Sequence, residues 1–266
     1  MTLTDFKSPS FVVEIGEAVG RKAPNGEVDS AFVQSLLVLA ADFTGRKSYH
    51  PGPVDGKPGF GAVGAIESFQ RDHCWIRTPD GVVDPAGTTF RRLVALQRAA
   101  AVEATFPFAE SSAWPYDEGM RRFGANRSNG RAHAACDIYH DLGTPVLAVA
   151  GGVVVRGPYY YYNGTYAVQI DHGDFLAVYG EIQQAGAVRE GDRVGRGDVV
   201  GFVGHLQGIK VPSDMLHFEM YDKTQAGLIK LPSSTAARYT NGRTLRRRSD
   251  LLDPTPFLKS WALPKP

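Results

Sequence analysis

Three side chains in this sequence have the types and the spacing to share one metal ion. His133 and Asp137 lie in RAHAACDIY, where a two-residue period sets His133, Ala135 and Asp137 on one face of an extended segment and Ala134 and Cys136 on the other. His217 lies in DMLHFEMYD, where Met215, His217 and Glu219 share a face while Leu216, Phe218 and Met220 face a core. Two histidines and one carboxylate fill three corners of a tetrahedron and leave the fourth to water, the arrangement of a catalytic rather than a structural zinc site. Taken singly, each is also what an ordinary polar strand face carries. The context must therefore decide.

The elements that must position these residues follow from the periodicity. From about Gly119 to Tyr221 the segments TPVLAVAGGVVVRG, TYAVQIDHG, DFLAVYGEI, DVVGFVG and DMLHFEMYD are short, rich in β-branched or aromatic residues, and bounded by Gly, Asp or Asn. They read as strands of an antiparallel β domain. Before them, AFVQSLLVLAADF, the Val63–Ala65–Ile66–Phe69 spacing and FRRLVALQRAA each carry a helical apolar period, separated by the turn-rich PGPVDGKPGFG and TPDGVVDPAGTT. The fold class expected is α+β: a small N-terminal three-helix bundle over 1–105, a linker over 106–118, an antiparallel β-sheet domain over 119–235, and a tail over 236–266 that packs on the β domain.

Order and context resemble a known family. HAACDIYHDLGTPVLAVAGGVVV, TYAVQIDHGDFLAVYGEI, VREGDRVGRGDVVGFVG and MLHFEMY together are similar to the lysostaphin/LytM-type zinc metallopeptidases over Arg131 to Tyr221. The resemblance implies that His133, Asp137 and His217 hold Zn²⁺, and that the substrate is the peptide part of bacterial peptidoglycan. Two positions depart from the family. Glu181 in VYGEI stands where a histidine is usual, and Met215 replaces the first histidine of the His-x-His segment. A thioether transfers no proton, so no catalytic role passes to Met215. A carboxylate beside the metal can act as general base, which makes Glu181 the expected catalytic residue. His140, His172 and His205 are lesser candidates for lining the groove or stabilising an oxyanion, and the Tyr159–Tyr162 run is a candidate groove wall.

The first region resembles, independently, the three-helix peptidoglycan-binding domain. Asp55–Gly56, Phe69–Gln70 and Asp80–Gly81 occupy the matching places. The combined expectation is a zinc endopeptidase cutting stem-peptide or crossbridge bonds, anchored to the wall by its helical domain. The competing class is a catalytically silent LytM-like wall-binding or regulatory module, which the filled ligand set disfavours. A biotinyl or lipoyl carrier reading of VREGDRVGRGDVVGFVG lacks the modifiable lysine.

Composition narrows the partners. Lys+Arg is 29 and Asp+Glu 28, a formal charge of +1, without the basic surplus a general nucleic-acid binder needs. The run Arg246–Arg248 reads as a solvated segment. No stretch is apolar and long enough to span a membrane. MTLTDFKSPSFVVEIGEAVG shows no secretory pattern, so the expectation is synthesis in the cytoplasm and action in the periplasm or wall of a target bacterium, as a phage lysin or an injected antibacterial effector. An effector of that kind implies secretion machinery and an immunity protein as partners. Cys74 and Cys136 do not make a disulfide framework; free thiols are the favoured reading, and a single bridge between the two is the alternative.

Overall fold

The structure, a computed structural model, describes residues 13–232, 236, 238–239 and 242–262; the start of the N-terminal segment read above, residues 1–12, lies outside them. The chain forms two compact units. One comprises residues up to Ala101 together with Asp222–Asp250, the other Val102–Tyr221 with the segment from Leu251 onward.

The first unit contains β1 (Val19–Gly20), α1 (Glu27–Thr44), α2 (Phe60–His73), β2 (Val82–Val83) and α3 (Thr88–Ala100), with β1 and β2 paired antiparallel. The apolar faces expected of the helices converge: Val33, Leu36, Leu37, Ile66, Phe69 and Leu93 are fully buried. A single device closes both Asp-Gly turns. Gln34 Oε1 accepts from Gly56 N at 2.9 Å while its Nε2 donates to Asp55 Oδ1 at 3.1 Å. Gln70 Oε1 accepts from Gly81 N at 3.0 Å and its Nε2 donates to Asp80 Oδ1 at 2.7 Å. A buried amide with its acceptor and donor both used holds each turn to a helix. The Asp-Gly and Phe-Gln markers are thus accounted for by folding.

The second unit contains β3 (Asn126–Arg127), β4 (Arg131–Ala132), β5 (Cys136–Tyr139), β6 (Pro145–Leu147), β7 (Gly152–Tyr162), β8 (Thr165–Asp171), β9 (Leu176–Ile182), β10 (Arg193–Val194), β11 (Val199–Phe202), β12 (Met215–Tyr221), β13 (Leu251–Leu252) and α4 (Thr255–Trp261). The main sheet runs β10-β7-β8-β9-β12, and the far edge of β12 is shared by β5 and β13. Every pairing in it is antiparallel, as the strand pattern predicts. Leu216, Phe218 and Met220 are fully buried on one face of β12, and Phe218 meets Tyr179 edge-on at 5.4 Å. A side chain like Phe218 contributes about 1.5–3 kcal/mol by leaving water. Trp261 of α4 packs on Phe175 at 5.9 Å, so the C-terminal helix covers this core.

Three expectations about organisation are corrected. The 106–118 segment is no free linker: Phe106 and Phe108 are buried in the second unit, and Leu147 N donates to Pro107 O at 2.9 Å. The tail is divided, since residues up to Asp250 fold with the first unit and only the segment from Leu251 packs on the β sheet. Nor is Arg248 solvated; it is buried and donates from Nε and Nη2 to the Asp250 carboxylate at 2.8 and 2.9 Å. Cys74 and Cys136 are both buried, free thiols, and among the described residues no helix is long and apolar enough to cross a membrane.

Candidate metal centre

β12 places His217 between two neighbours. It stands opposite Asp137 of β5 on one side and Gly180 of β9 on the other. His133 precedes β5, beyond a bend at Ala135 that breaks the single extended segment expected there. Its backbone is nevertheless held in place, donating from N to Ala125 O at 2.8 Å. The result is one cluster. His217 Nδ1 lies 2.9 Å from Asp137 Oδ1, His133 Nε2 lies 3.0 Å from the same oxygen, and the two nitrogens are 3.4 Å apart. A tetrahedral site with ligands at about 2.0–2.1 Å has edges of roughly 3.3–3.4 Å, close to these separations.

The remaining polar atom of each ligand is tied down. His133 Nδ1 donates to Arg122 O at 3.0 Å, His217 Nε2 donates to Glu219 Oε1 at 2.9 Å, and Asp137 Oδ2 accepts from Arg127 Nη2 at 3.1 Å. These bonds leave His133 Nε2, His217 Nδ1 and Asp137 Oδ1 for a shared cation, as outer partners of metal ligands do. A neutral His133 presents a lone pair at Nε2, facing the lone pairs of a carboxylate oxygen. A cation between them removes that repulsion. The donor set therefore fits a zinc ion.

The electrostatics agree with that demand for positive charge. Burial lowers the His133 pKa, against the pull of Asp137. Burial also opposes protonation of His217, but its hydrogen bonds to Asp137 and Glu219 win and hold it up at about 10. The Asp137 carboxyl is held far below its usual range; burial works the other way and is outweighed by the two histidines.

Glu181 is placed by an irregularity. Tyr166 pairs with Ile182 and Ala167 with Gly180, so Glu181 is the extra residue of a β-bulge, with φ 63°. Its carbonyl is anchored by Gly204 N at 2.8 Å. Strand alternation would put Glu181 on one face with Tyr179, and the bulge breaks that alternation. Tyr179 stands opposite Phe218, its hydroxyl 3.0 Å from His172 Nε2 in the core. The Glu181 carboxylate is buried, Oε2 has no hydrogen-bond partner, and its charge interacts with His217, Asp137 and Arg127. Burial raises its pKa to about 7, with His217 drawing it down and Asp137 pushing it up.

The lesser candidates separate. His172 is a core group, its Nδ1 donating to Gly151 O at 3.1 Å. His140 packs against Phe108, ring centroids 3.9 Å apart and tilted by 31°. His205 pairs with Asp214 at 2.9 Å beside a surface cavity. In the tyrosine run, Tyr161 reaches the site, with its hydroxyl donating to Glu219 Oε1 at 3.0 Å and its ring 5.6 Å from His217, whereas Tyr160 and Tyr162 are exposed. Sequence reasoning missed Arg122, Arg127 and Glu219 as supports. Only Glu219 carried a signal, its place on the face of His217.

Comparison with known proteins meets this geometry directly: residues 131–227 match Peptidase family M23. This segment is a peptidase family M23 domain. The M23 domain holds all three clustered donors and Glu181. Peptidoglycan DD-endopeptidase ShyC of Vibrio cholerae is 33% identical over 90 residues, 34% of this chain and 20% of that protein, so the chain spans about a fifth of that relative. Among solved structures, the catalytic domain of the antimicrobial peptidase lysostaphin from Staphylococcus simulans aligns at 23% identity over 54% of this chain and 92% of that one, with a TM-score of 0.40. A zinc containing peptidase from Vibrio cholerae aligns at 21% identity over 48% and 41%, with a TM-score of 0.36.

Proposed function

We propose that this protein is a zinc-dependent endopeptidase that cuts stem-peptide or crossbridge bonds of bacterial peptidoglycan. One observation carries the reading. Within an M23 domain, His133, Asp137 and His217 bring their donor atoms within 4.8 Å of one another, and each ligand is steadied by a second partner. Bound there, zinc would polarise the scissile carbonyl and acidify a water. Glu181, poised near neutrality with a free buried oxygen, would accept that water's proton and return it to the departing amine. Glu219 and Tyr161 would keep the His217 ring oriented, and Arg127 would hold the Asp137 carboxylate in place through its second oxygen. The first unit is proposed as the wall anchor, on its resemblance to a binding bundle.

A silent module is the second reading, favoured by Met215, which leaves one position of the site without a titratable group. Elemental analysis and muropeptide digestion followed by mass spectrometry decide between them. The native protein is expected to carry one zinc and release peptide fragments, and His217→Ala to lose most of the metal. Zinc-free native protein, or unchanged zinc in His217→Ala, rules out this centre. Zinc-loaded protein inert on every muropeptide favours the silent module.

A further inference from the structure

Ahead of the M23 match, the chain straps itself across the strand that supplies Asp137. Ser112 Oγ donates to Tyr139 O at 2.9 Å, Trp114 N donates to Ser112 Oγ at 3.1 Å, and Arg121 O accepts from Asp137 N at 3.0 Å. The Arg121 guanidinium lies 5.6 Å from the Trp114 ring centroid and 5.2 Å from that of Tyr139. Its Nε donates to Pro115 O at 2.6 Å, and among the described residues no carboxylate pairs with it. The Trp114 ring is more than half exposed, at 54%.

The same platform runs on past the metal ligands. Tyr139 stands opposite Met215, two residues from His217, and packs with Met215, Leu206 and Val211 into one apolar cluster. Leu206 and Val211 also line a cavity of about 530 Å³. A fixed, unpaired guanidinium therefore adjoins an apolar floor beside the site.

We infer that Arg121 is a specificity-determining residue that binds a carboxylate of the peptide substrate, an inference that rests on the peptidoglycan reading above. Stacking between two rings and the bond to Pro115 leave the guanidinium few rotamers to lose, and its outer nitrogens remain for a carboxylate. Stem peptides offer free carboxylates on their side branches and at their C-termini. Met215 then has a positive role: its flexible thioether completes the floor for a neighbouring apolar side chain, where a histidine would break the cluster.

The test uses the zinc-loaded full chain and muropeptide pairs differing only by carboxylate or carboxamide, at the C-terminus in one pair and on the side branch in the other. Affinity is read by calorimetry, and the same mixtures are examined for cleavage. The native protein is expected to prefer the carboxylate form of one pair by about 10–100-fold, the range for a charge-assisted hydrogen bond. Arg121→Gln should reduce that preference to near unity, and Arg121→Lys, which keeps the charge without the fork, should retain part of it. A native protein with no preference in either pair, or a preference that persists in Arg121→Gln, overturns the assignment. Cleavage in those mixtures would still leave the peptidase reading standing, and its absence bears on that reading alone.

Discussion

At Glu181 both the backbone and the side chain are held in states that a strand residue ordinarily avoids. A φ of 63° is uncommon outside glycine, and a buried carboxylate oxygen without a partner costs free energy. Such a combination persists where the surroundings enforce it, and it clusters at functional sites. A glutamate whose pKa is raised to about 7 can take and return a proton near neutral pH, which an ordinary surface carboxylate does poorly. Glu181→Gln keeps the shape and removes the acceptor. It is expected to leave zinc content and folding near native and to lower muropeptide turnover by about 10²–10⁴-fold. Near-native turnover would discard Glu181 as the base; loss of zinc would make it a ligand instead.

The decisive element is the β9–β12 pair, with the Tyr161 side chain of β7 reaching it. Tyr161 reaches Glu219 only because β9 offers no side chain at Gly180. A Cβ there would stand 3.0 Å from Tyr161 Cε1 and 3.2 Å from His217 O. Gly180→Ala should therefore push the Tyr161 ring off His217 and loosen the Glu219 bond that orients it. The expected outcome is a loss of about 1–3 kcal/mol of stability from overpacking, together with weaker zinc binding. Thermal unfolding and zinc titration of the variant check both. Unchanged zinc affinity in a destabilised protein would reduce Tyr161 to packing.

On the scale of the whole molecule, the two units are interleaved along the chain. The segment Asp222–Asp250 leaves the β sheet at the end of β12 and folds with the helices. Its anchor is an ion pair between Arg92 of α3 and Asp222, with both side chains buried. Burial raises the Asp222 pKa while Arg92 pulls it back down. Arg92→Leu should cost about 3–5 kcal/mol, because it strands a buried carboxylate. The sign with pH follows from that raised pKa. A carboxyl whose folded pKa lies above its unfolded value loses stability as pH rises through the folded value, so the deficit of the variant should shrink on acidification. Denaturant unfolding of native and variant proteins at several pH values measures this; a deficit independent of pH would mean that Asp222 stays ionised without its partner. A chain beginning at residue 102 would lose the same partner, so wall binding by the first unit is better tested with intact protein.

Residue types and their period were enough for the helices and the strands, because apolar periodicity is a local property of a chain. They offered His133, Asp137 and His217 as candidate ligands, and the resemblance to a family joined the three into one site. The same resemblance singled out Glu181 and Met215 as departures. The route by which Glu181 comes to the site was not legible. Strand alternation alone puts it beside Tyr179 on the core face, and a bulge depends on how β8 registers against β9. Arg127 and the carbonyl of Arg122 gave no signal, since any loop arginine or backbone oxygen looks alike until the fold sets it next to a ligand. The split of the tail between two units had the same cause. The partners that divide the chain after β12, Arg92 for Asp222 and β12 for Leu251, lie far away in sequence, and only tertiary packing pairs residues at such separations.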